Sequence, residues 1–291
     1  MSSNKTANFN KRTFTWMMAL VMGWLALIIG LYTATLVGKL LEDANTSEPT
    51  VQLIKGIIIS IIVLIVTYNV QTRMLNRSWK DIFGSNPRHG IISFLIGAGL
   101  AVGLAILGFV IASWQGWITI VEWHISPQLL GSIAINMMFA FLYEALPEEV
   151  ALRGFVYNTL KLKLPAFVAF LCQLGLFVLV PIAVAYLQFL SGMGMVNQIS
   201  VDYIVLLLGF GTTLQLLRSF TGSLWTSIGF HLAYLEISRF AVLQREQRLF
   251  TFEESVPGAG ELFVLFFMTV IVAAIILGCM LAIRRFRERN V

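Results

Sequence analysis

The chain has 291 residues, of which 58% are hydrophobic and only 12% are charged. Soluble domains carry about 25% charged residues, so this chain has too few charges to coat a water-soluble protein. The net charge of +5 does not indicate a nucleic-acid partner, because the cations flank apolar segments, where they report topology and anionic lipid. The composition predicts an all-α polytopic membrane protein.

Eight apolar segments match the length of about 20 residues that a helix needs to cross a bilayer. The first is much longer than a signal-peptide core of roughly 7–15 residues, so we expect it to remain as a membrane helix. The Trp-rich segment 114–125 is typical of a membrane interface, and 244–260 is expected to be a loop. The predicted spans are 14–40, 51–71, 90–113, 127–160, 164–189, 201–219, 222–243 and 261–283.

Basic and acidic connections alternate along the chain, and basic connections belong on the cytoplasmic side. This alternation predicts eight crossings with both termini in the cytoplasm, in the plasma membrane. The basic set includes Lys11, Arg12, Arg73, Arg77, Lys80, Lys161, Lys163, Arg218, Arg284 and Arg285. The acidic set consists of Glu42, Asp43, Glu48, Glu122, Asp202, Glu246, Glu253, Glu254 and Glu261. The two cysteines, Cys172 and Cys279, lie in apolar spans and are expected to be buried like other small apolar side chains.

Ionisable residues inside membrane spans are costly and are functional candidates. In the fourth span, Glu149 and Arg153 are four residues apart, so they share a helix face and can form an ion pair. Glu144 and Glu148 share a different face that has no cation at matching spacing. An unpaired carboxylate in an apolar environment has a raised pKa, which suits Glu148 to act as a general base near neutral pH. Pro147 is expected to disturb the helix beside these acids.

The seventh span carries His231, Glu236 and Arg239. His231 lies about nine residues from the cytoplasmic end of its span, and Glu148 about twelve residues from the cytoplasmic end of the fourth. At 1.5 Å per residue these depths are roughly 14 and 18 Å, so the two side chains can lie in one layer. Glu236 is better placed to pair with Arg239 than to act beside His231.

The residues from Glu148 to Gly154, EEVALRG, resemble the EExxxR-G signature of the CAAX-processing and bacteriocin-processing (Abi, or CPBP) intramembrane proteases. The stretch TGSLWTSIGFH, which ends at His231, resembles the family's later TGS-L-W segment. The resemblance divides the chain into an N-terminal region (1–126), a CPBP-like protease core (127–243) and a C-terminal loop and helix (244–291).

The resemblance implies a helical core with a buried aqueous cavity, in which the first glutamate and the family's histidines and asparagine activate water to cleave a peptide bond. Glu148 then activates water, Glu149 and Arg153 hold the geometry, and His231 orients water or stabilises the oxyanion. The motifs leave open whether such a site uses a glutamate base alone or a divalent metal such as zinc.

Two positions depart from the family pattern. The middle motif F-x-x-x-H reads Phe177 to Pro181, and the last motif H-x-x-x-N/D reads His231 to Leu235. Neither proline nor leucine coordinates a metal or donates a side-chain hydrogen bond. The fifth and sixth spans offer Gln173 and Gln215 as polar groups, but neither replaces the chemistry of an imidazole.

Three functions remain open. The first is a CPBP-family intramembrane endopeptidase with weak or lost activity, acting on a membrane-anchored peptide or protein. The alternative is a catalytically silent scaffold that binds and regulates a membrane or envelope partner. The third, a transporter with a glutamate relay, lacks the internal repeats typical of that class. Family resemblance favours the first interpretation, and the replaced residues favour the second.

Overall fold

The structure is a computed structural model that describes residues 2–84, 87–194, 199–243 and 245–289. It confirms an all-α polytopic membrane protein. Within the described residues, seven helices are long and apolar enough to cross a membrane. They correspond to every predicted span except 222–243, which forms a shorter helix. The three-part division of the chain inferred from the family resemblance stays a prediction.

Helices make up most of the described chain, and two short strands interrupt them. The N-terminal half contains α1 (Ser2–Asp43), α2 (Glu48–Met74), α3 (Lys80–Phe83), α4 (Pro87–Trp114), strand β1 (Ile118–Trp123) and α5 (Pro127–Leu160). The C-terminal half contains α6 (Ala166–Leu190), α7 (Val201–Thr221), α8 (Leu224–Ile237, extended by a π-helical turn Ser238–Val242), strand β2 (Phe250–Glu254) and α9 (Ala259–Val272, π-helical, continued by Ala273–Arg289).

The described residues fall into two compact units, each built from two separate stretches of chain. The first unit combines 1–84 with 142–204, and the second combines 85–141 with 205–291. Two tryptophans of α1 anchor the first unit by donating indole hydrogen bonds to backbone carbonyls: Trp16 to Thr159 at 2.6 Å and Trp24 to Leu176 at 2.9 Å. These bonds tie α1 to α5 and to α6.

In the second unit, α4 and α8 approach so closely that their backbones are in contact. A Cβ atom placed on Gly97 would lie 2.0 Å from the carbonyl oxygen of Thr226. A Cβ atom on Gly229 would lie 2.1 Å from the carbonyl oxygen of Phe94. Small residues permit this kind of backbone approach between membrane helices. This close approach fixes the position of α8 at Gly229, two residues before His231.

The connection predicted as a loop at 244–260 contains a strand, so that prediction was wrong in part; Gln244 itself lies outside the described residues. Strand β2 pairs antiparallel with β1 of the Trp-rich segment. Phe250 and Phe252 of β2 are buried and pack around Phe109 of α4, with ring centroids 5.1 and 5.9 Å apart. The sequence signal was the alternation of Phe250 and Phe252 with polar residues, which is typical of a half-buried strand.

This strand pair bears on the number of crossings. An open two-stranded sheet cannot straddle the hydrocarbon core, so an even number of crossings must separate β1 from β2. Helices α5, α6 and α7 are long and apolar enough to supply three, and we expect α8 to supply the fourth. With its π-helical turn, α8 covers 19 residues, or about 28 Å at 1.5 Å per residue. Eight crossings and the cytoplasmic position of both termini stay predictions.

The expected burial of the two cysteines was wrong, because Cys172 and Cys279 are both exposed on the surface of the chain. Each lies in a helix long and apolar enough to span the membrane. Exposure of an apolar side chain at that position means contact with lipid, so a mainly apolar segment does not by itself show which face is buried.

Candidate active site

Helix α5 carries the predicted acids on a backbone that alternates between two hydrogen-bonding patterns. Phe141–Ala145 and Glu149–Val156 are π-helical, and the short α-helical segment Leu146–Glu148 separates them. Pro147, in that segment, has no N–H to donate to the preceding turn. The sequence predicted a disturbance at this proline, and the irregular backbone surrounds it. Turns of π-helix within α-helices are frequent at functional sites.

The predicted ion pair between Glu149 and Arg153 is present. Arg153 Nη1 donates to Glu149 Oε1 at 3.0 Å, and both side chains have no exposed surface. The guanidinium also lies over the ring of Phe177 on α6, 4.3 Å from the ring centroid. Because a guanidinium attracts the negative face of an aromatic ring, Arg153 connects two helices of the first unit. The Glu149–Arg153 ion pair is thus buried beside the Phe177 ring, where α5 meets α6.

Glu148 differs from its neighbour Glu149 because it is only partly buried. The carboxylates of Glu144 and Glu148 lie near the side chains of Tyr143 and Tyr203. The ammonium group of Lys55 lies 5.2 Å from the centre of the Tyr143 ring. Tertiary structure thus brings a cation of α2 to Tyr143, the residue next to Glu144. The two adjacent glutamates differ in burial, and the role of Glu148 as a general base stays a prediction.

In the second unit, His231 is 3% exposed and lies in the middle of α8. Its ring packs edge-on against Phe210 of α7, with ring centroids 4.9 Å apart. Phe210 also contacts Tyr234, which is one turn further along α8, at 4.5 Å. The imidazole is therefore buried against an aromatic ring of the neighbouring helix. Glu148 lies in the first unit, and its predicted proximity to His231 stays a prediction.

A polar contact that the sequence did not reveal joins α5 to α8 within the second unit. Asn136 Nδ2 donates to Glu236 Oε1 at 2.6 Å. Spacing along a single helix indicated only Arg239, at i+3, as a partner for Glu236. The signal that could have revealed this contact is the presence of Asn136, an amide, in the middle of an apolar span.

The two replaced motif positions lie in regular helix. Pro181 is inside α6 and Leu235 is inside α8, and both are partly buried. Of the two amides named as alternatives, Gln173 lies in the first unit and Gln215 in the second, and both are fully buried. Gln215 donates to Ser219 one turn further along α7, at 3.3 Å.

A divalent metal was left open by the sequence. Metal sites such as those of zinc need at least three side-chain ligands. In the described part of the chain, no three His, Cys, Asp or Glu side chains are grouped so that they could hold a metal ion.

Comparison with known families connects this geometry to a protein class. Residues 129–234 match the family model described as type II CAAX prenyl endopeptidase Rce1-like. These residues form an Rce1-like domain. No curated protein matches the chain.

The Rce1-like domain contains every residue selected from the sequence as part of the site: Glu148, Glu149, Arg153 and His231. It begins two residues after the first residue of α5 and ends within α8. Asn136 lies inside the domain, and its partner Glu236 follows two residues after the domain ends. The family match thus covers residues 129–234 of the segment 127–243 for which the motifs predicted membership.

Proposed function

We propose that the chain is a CAAX-protease-like intramembrane endopeptidase of low turnover that acts on a membrane-anchored peptide or protein at the plasma membrane. The observation that carries this proposal is the Rce1-like match over the segment that holds Glu148 and His231. The unequal burial of Glu148 and Glu149 supports it, because a water-activating carboxylate must be reachable by water.

In the proposed reaction, Glu148 accepts a proton from water while the water oxygen attacks the carbonyl carbon of the scissile peptide bond. His231 orients this water or donates to the oxyanion of the tetrahedral intermediate. The proton then passes to the leaving amine as the C–N bond breaks. Arg153 and Glu149 act as positioning residues, since their buried pair fixes the helix turn that follows Glu148.

The low turnover follows from the two replaced positions. Removal of a single oxyanion donor typically lowers the rate by about 10²–10³, and neither Pro181 nor Leu235 has a side chain that donates a hydrogen bond. Glu148 and His231 provide a base and one orienting group. The chain therefore has a base for water activation but few donors for the transition state.

The test is a cleavage assay with purified protein in liposomes. Wild type, Glu148→Ala and Glu144→Gln are incubated with prenylated and membrane-tethered peptides, and products are identified by mass spectrometry. Glu144 is the matched control, because it is a carboxylate one turn away on the same helix. We expect slow cleavage by wild type and by Glu144→Gln, and none by Glu148→Ala. Cleavage that persists in Glu148→Ala contradicts the proposal.

A second candidate is a catalytically silent scaffold that binds and regulates a membrane or envelope partner. The observation that favours it is the absence of side-chain donors at Pro181 and Leu235. On this proposal, the biological effect survives Glu148→Ala because it depends on binding. A deletion strain complemented with wild type or with Glu148→Ala separates the candidates, since equal rescue by both favours the scaffold and rescue by wild type alone favours the enzyme.

A further inference from the structure

Two fully buried polar side chains of the first unit have hydrogen-bonding atoms without a partner. Arg153 uses Nη1 for Glu149, but its Nε and Nη2 have no hydrogen-bond partner among the described residues. Gln173 on α6 is also fully buried, and both atoms of its amide lack a partner within the same residues. Buried side-chain polar atoms are nearly always hydrogen-bonded in proteins, to protein or to ordered water.

Phe177 of α6 relates the positions of the two groups. The Arg153 guanidinium is 4.3 Å from the centre of the Phe177 ring. Gln173 is one helical turn before Phe177, and residues four apart share a helix face. Side chains on a helix lean toward its N-terminus, so the Phe177 ring lies back toward the turn that carries Gln173. Arg153 and Gln173 therefore line the same part of the interface between α5 and α6.

We propose that Arg153 and Gln173 bind an internal water molecule that bridges α5 and α6. Water fits this site because it donates and accepts, and buried waters typically make about three hydrogen bonds. An anion fits poorly, because Glu149 already neutralises Arg153 and a second buried negative charge would be uncompensated. A cation fits poorly because Arg153 presents only donors. The proposal holds whether or not the chain cleaves peptides.

Radiolytic hydroxyl-radical footprinting of the full chain in nanodiscs tests this site, because a bound water produces radicals beside the side chains that it touches. Phe177 reports on the proposed water. Phe155, a fully buried phenylalanine of α5, is the internal control. We expect oxidation of Phe177 well above that of Phe155 in wild type, read by mass spectrometry. Equal, background-level oxidation of the two rings shows a dry interface and overturns the proposal.

Gln173→Leu then tests whether the amide holds the water. The leucine side chain has no hydrogen-bonding atom, so oxidation of Phe177 should fall to the level of Phe155. Unchanged oxidation of Phe177 in this variant overturns the role of Gln173. If Gln173→Leu does not fold, Gln173→Met is used instead, because methionine keeps the length of the side chain. The comparison of Phe177 with Phe155 in wild type tests the presence of the water without any variant.

Discussion

Asn136 and Glu236 are one hundred positions apart in the sequence, yet Asn136 Nδ2 donates to Glu236 Oε1 at 2.6 Å. The bond joins the first half of α5 to the end of α8. Leu235, which stands where the family motif has an amide or a carboxylate, is adjacent to Glu236. An amide and a carboxylate are thus present near this motif, although neither occupies the position that the motif specifies.

Asn136→Ala should destabilise the chain. Hydrogen bonds to charged groups contribute about 1.5–3 kcal/mol, and the substitution takes this donor away from Glu236. Asn158→Ala is the matched control, because Asn158 donates to the backbone oxygen of Asp81 at an exposed position. Thermal unfolding in detergent should show a lower Tm for Asn136→Ala than for Asn158→Ala. Equal Tm values would show that the buried contact contributes nothing beyond a surface bond.

Arg153→Ala and Glu148→Gln should separate structure from function. The arginine variant leaves Glu149 buried without its cation, and breaking a buried ion pair typically costs about 3–5 kcal/mol. We therefore expect much less folded protein from Arg153→Ala, whereas Glu148→Gln should keep the wild-type yield because Glu148 is partly exposed. Size-exclusion profiles of fluorescent fusions measure both. A similar loss of folded protein in both variants would contradict this division of roles.

Gly97→Ala and Gly229→Ala should each force α4 and α8 apart. The added methyl group would lie about 2 Å from a backbone carbonyl oxygen of the facing helix, a contact that only separation of the helices relieves. Overpacking typically costs roughly 1–3 kcal/mol. Gly99→Ala is the control on the same helix, since a Cβ there meets nothing within 4 Å. We expect reduced Tm for the first two variants and wild-type Tm for the control.

Most of the helical architecture could be predicted from the sequence, because each crossing requires a long apolar segment and the bilayer imposes helix on it. For helix α5, the predicted span 127–160 has the same bounds as the observed helix Pro127–Leu160. The strand pair could not be predicted from the same rule. An open strand pair belongs outside the hydrocarbon core, and this pairing joins segments that are more than one hundred residues apart in the sequence.

The candidate site was predictable only where contacts are local. Glu149 and Arg153 are one turn apart, so spacing alone identified their pair. Asn136 and Glu236 lie on different helices, and no spacing along one helix predicts that they meet. The position of Arg153 over the Phe177 ring likewise depends on how α6 packs against α5, and no local sequence pattern predicts it.

Eight crossings with cytoplasmic termini place the 44–47 turn and the residues after β2 on the outside. Single cysteines at Ser47 and Ser255, both exposed, should react with an impermeant maleimide in intact cells. A cysteine at Lys163 should react only after permeabilisation. The background must lack Cys172 and Cys279, because both are exposed. Protection of Ser255 together with reaction of Ser47 would mean that α8 does not cross, contrary to the parity required by the paired strands.

Leu235→Asn should increase peptidase activity, and this is the sharpest test of the proposed chemistry. Leu235 is one turn after His231 on α8 and stands at the amide position of the family motif. Asparagine there adds an N–H donor and an acceptor on the face that carries the imidazole. If a missing donor limits turnover, restoring it should raise kcat by up to about 10², the lower end of what one oxyanion donor contributes.

The measurement is the initial rate of peptide cleavage in liposomes for wild type, Leu235→Asn and Leu235→Ala. The alanine variant controls for the loss of leucine packing and should not gain activity. The gain should also disappear in the double variant with Glu148→Ala, because a donor cannot act without the base that activates water. A folded Leu235→Asn variant with unchanged kcat would show that the deficit lies elsewhere, and Pro181, where the middle motif lacks its histidine, would then be the position that limits the rate.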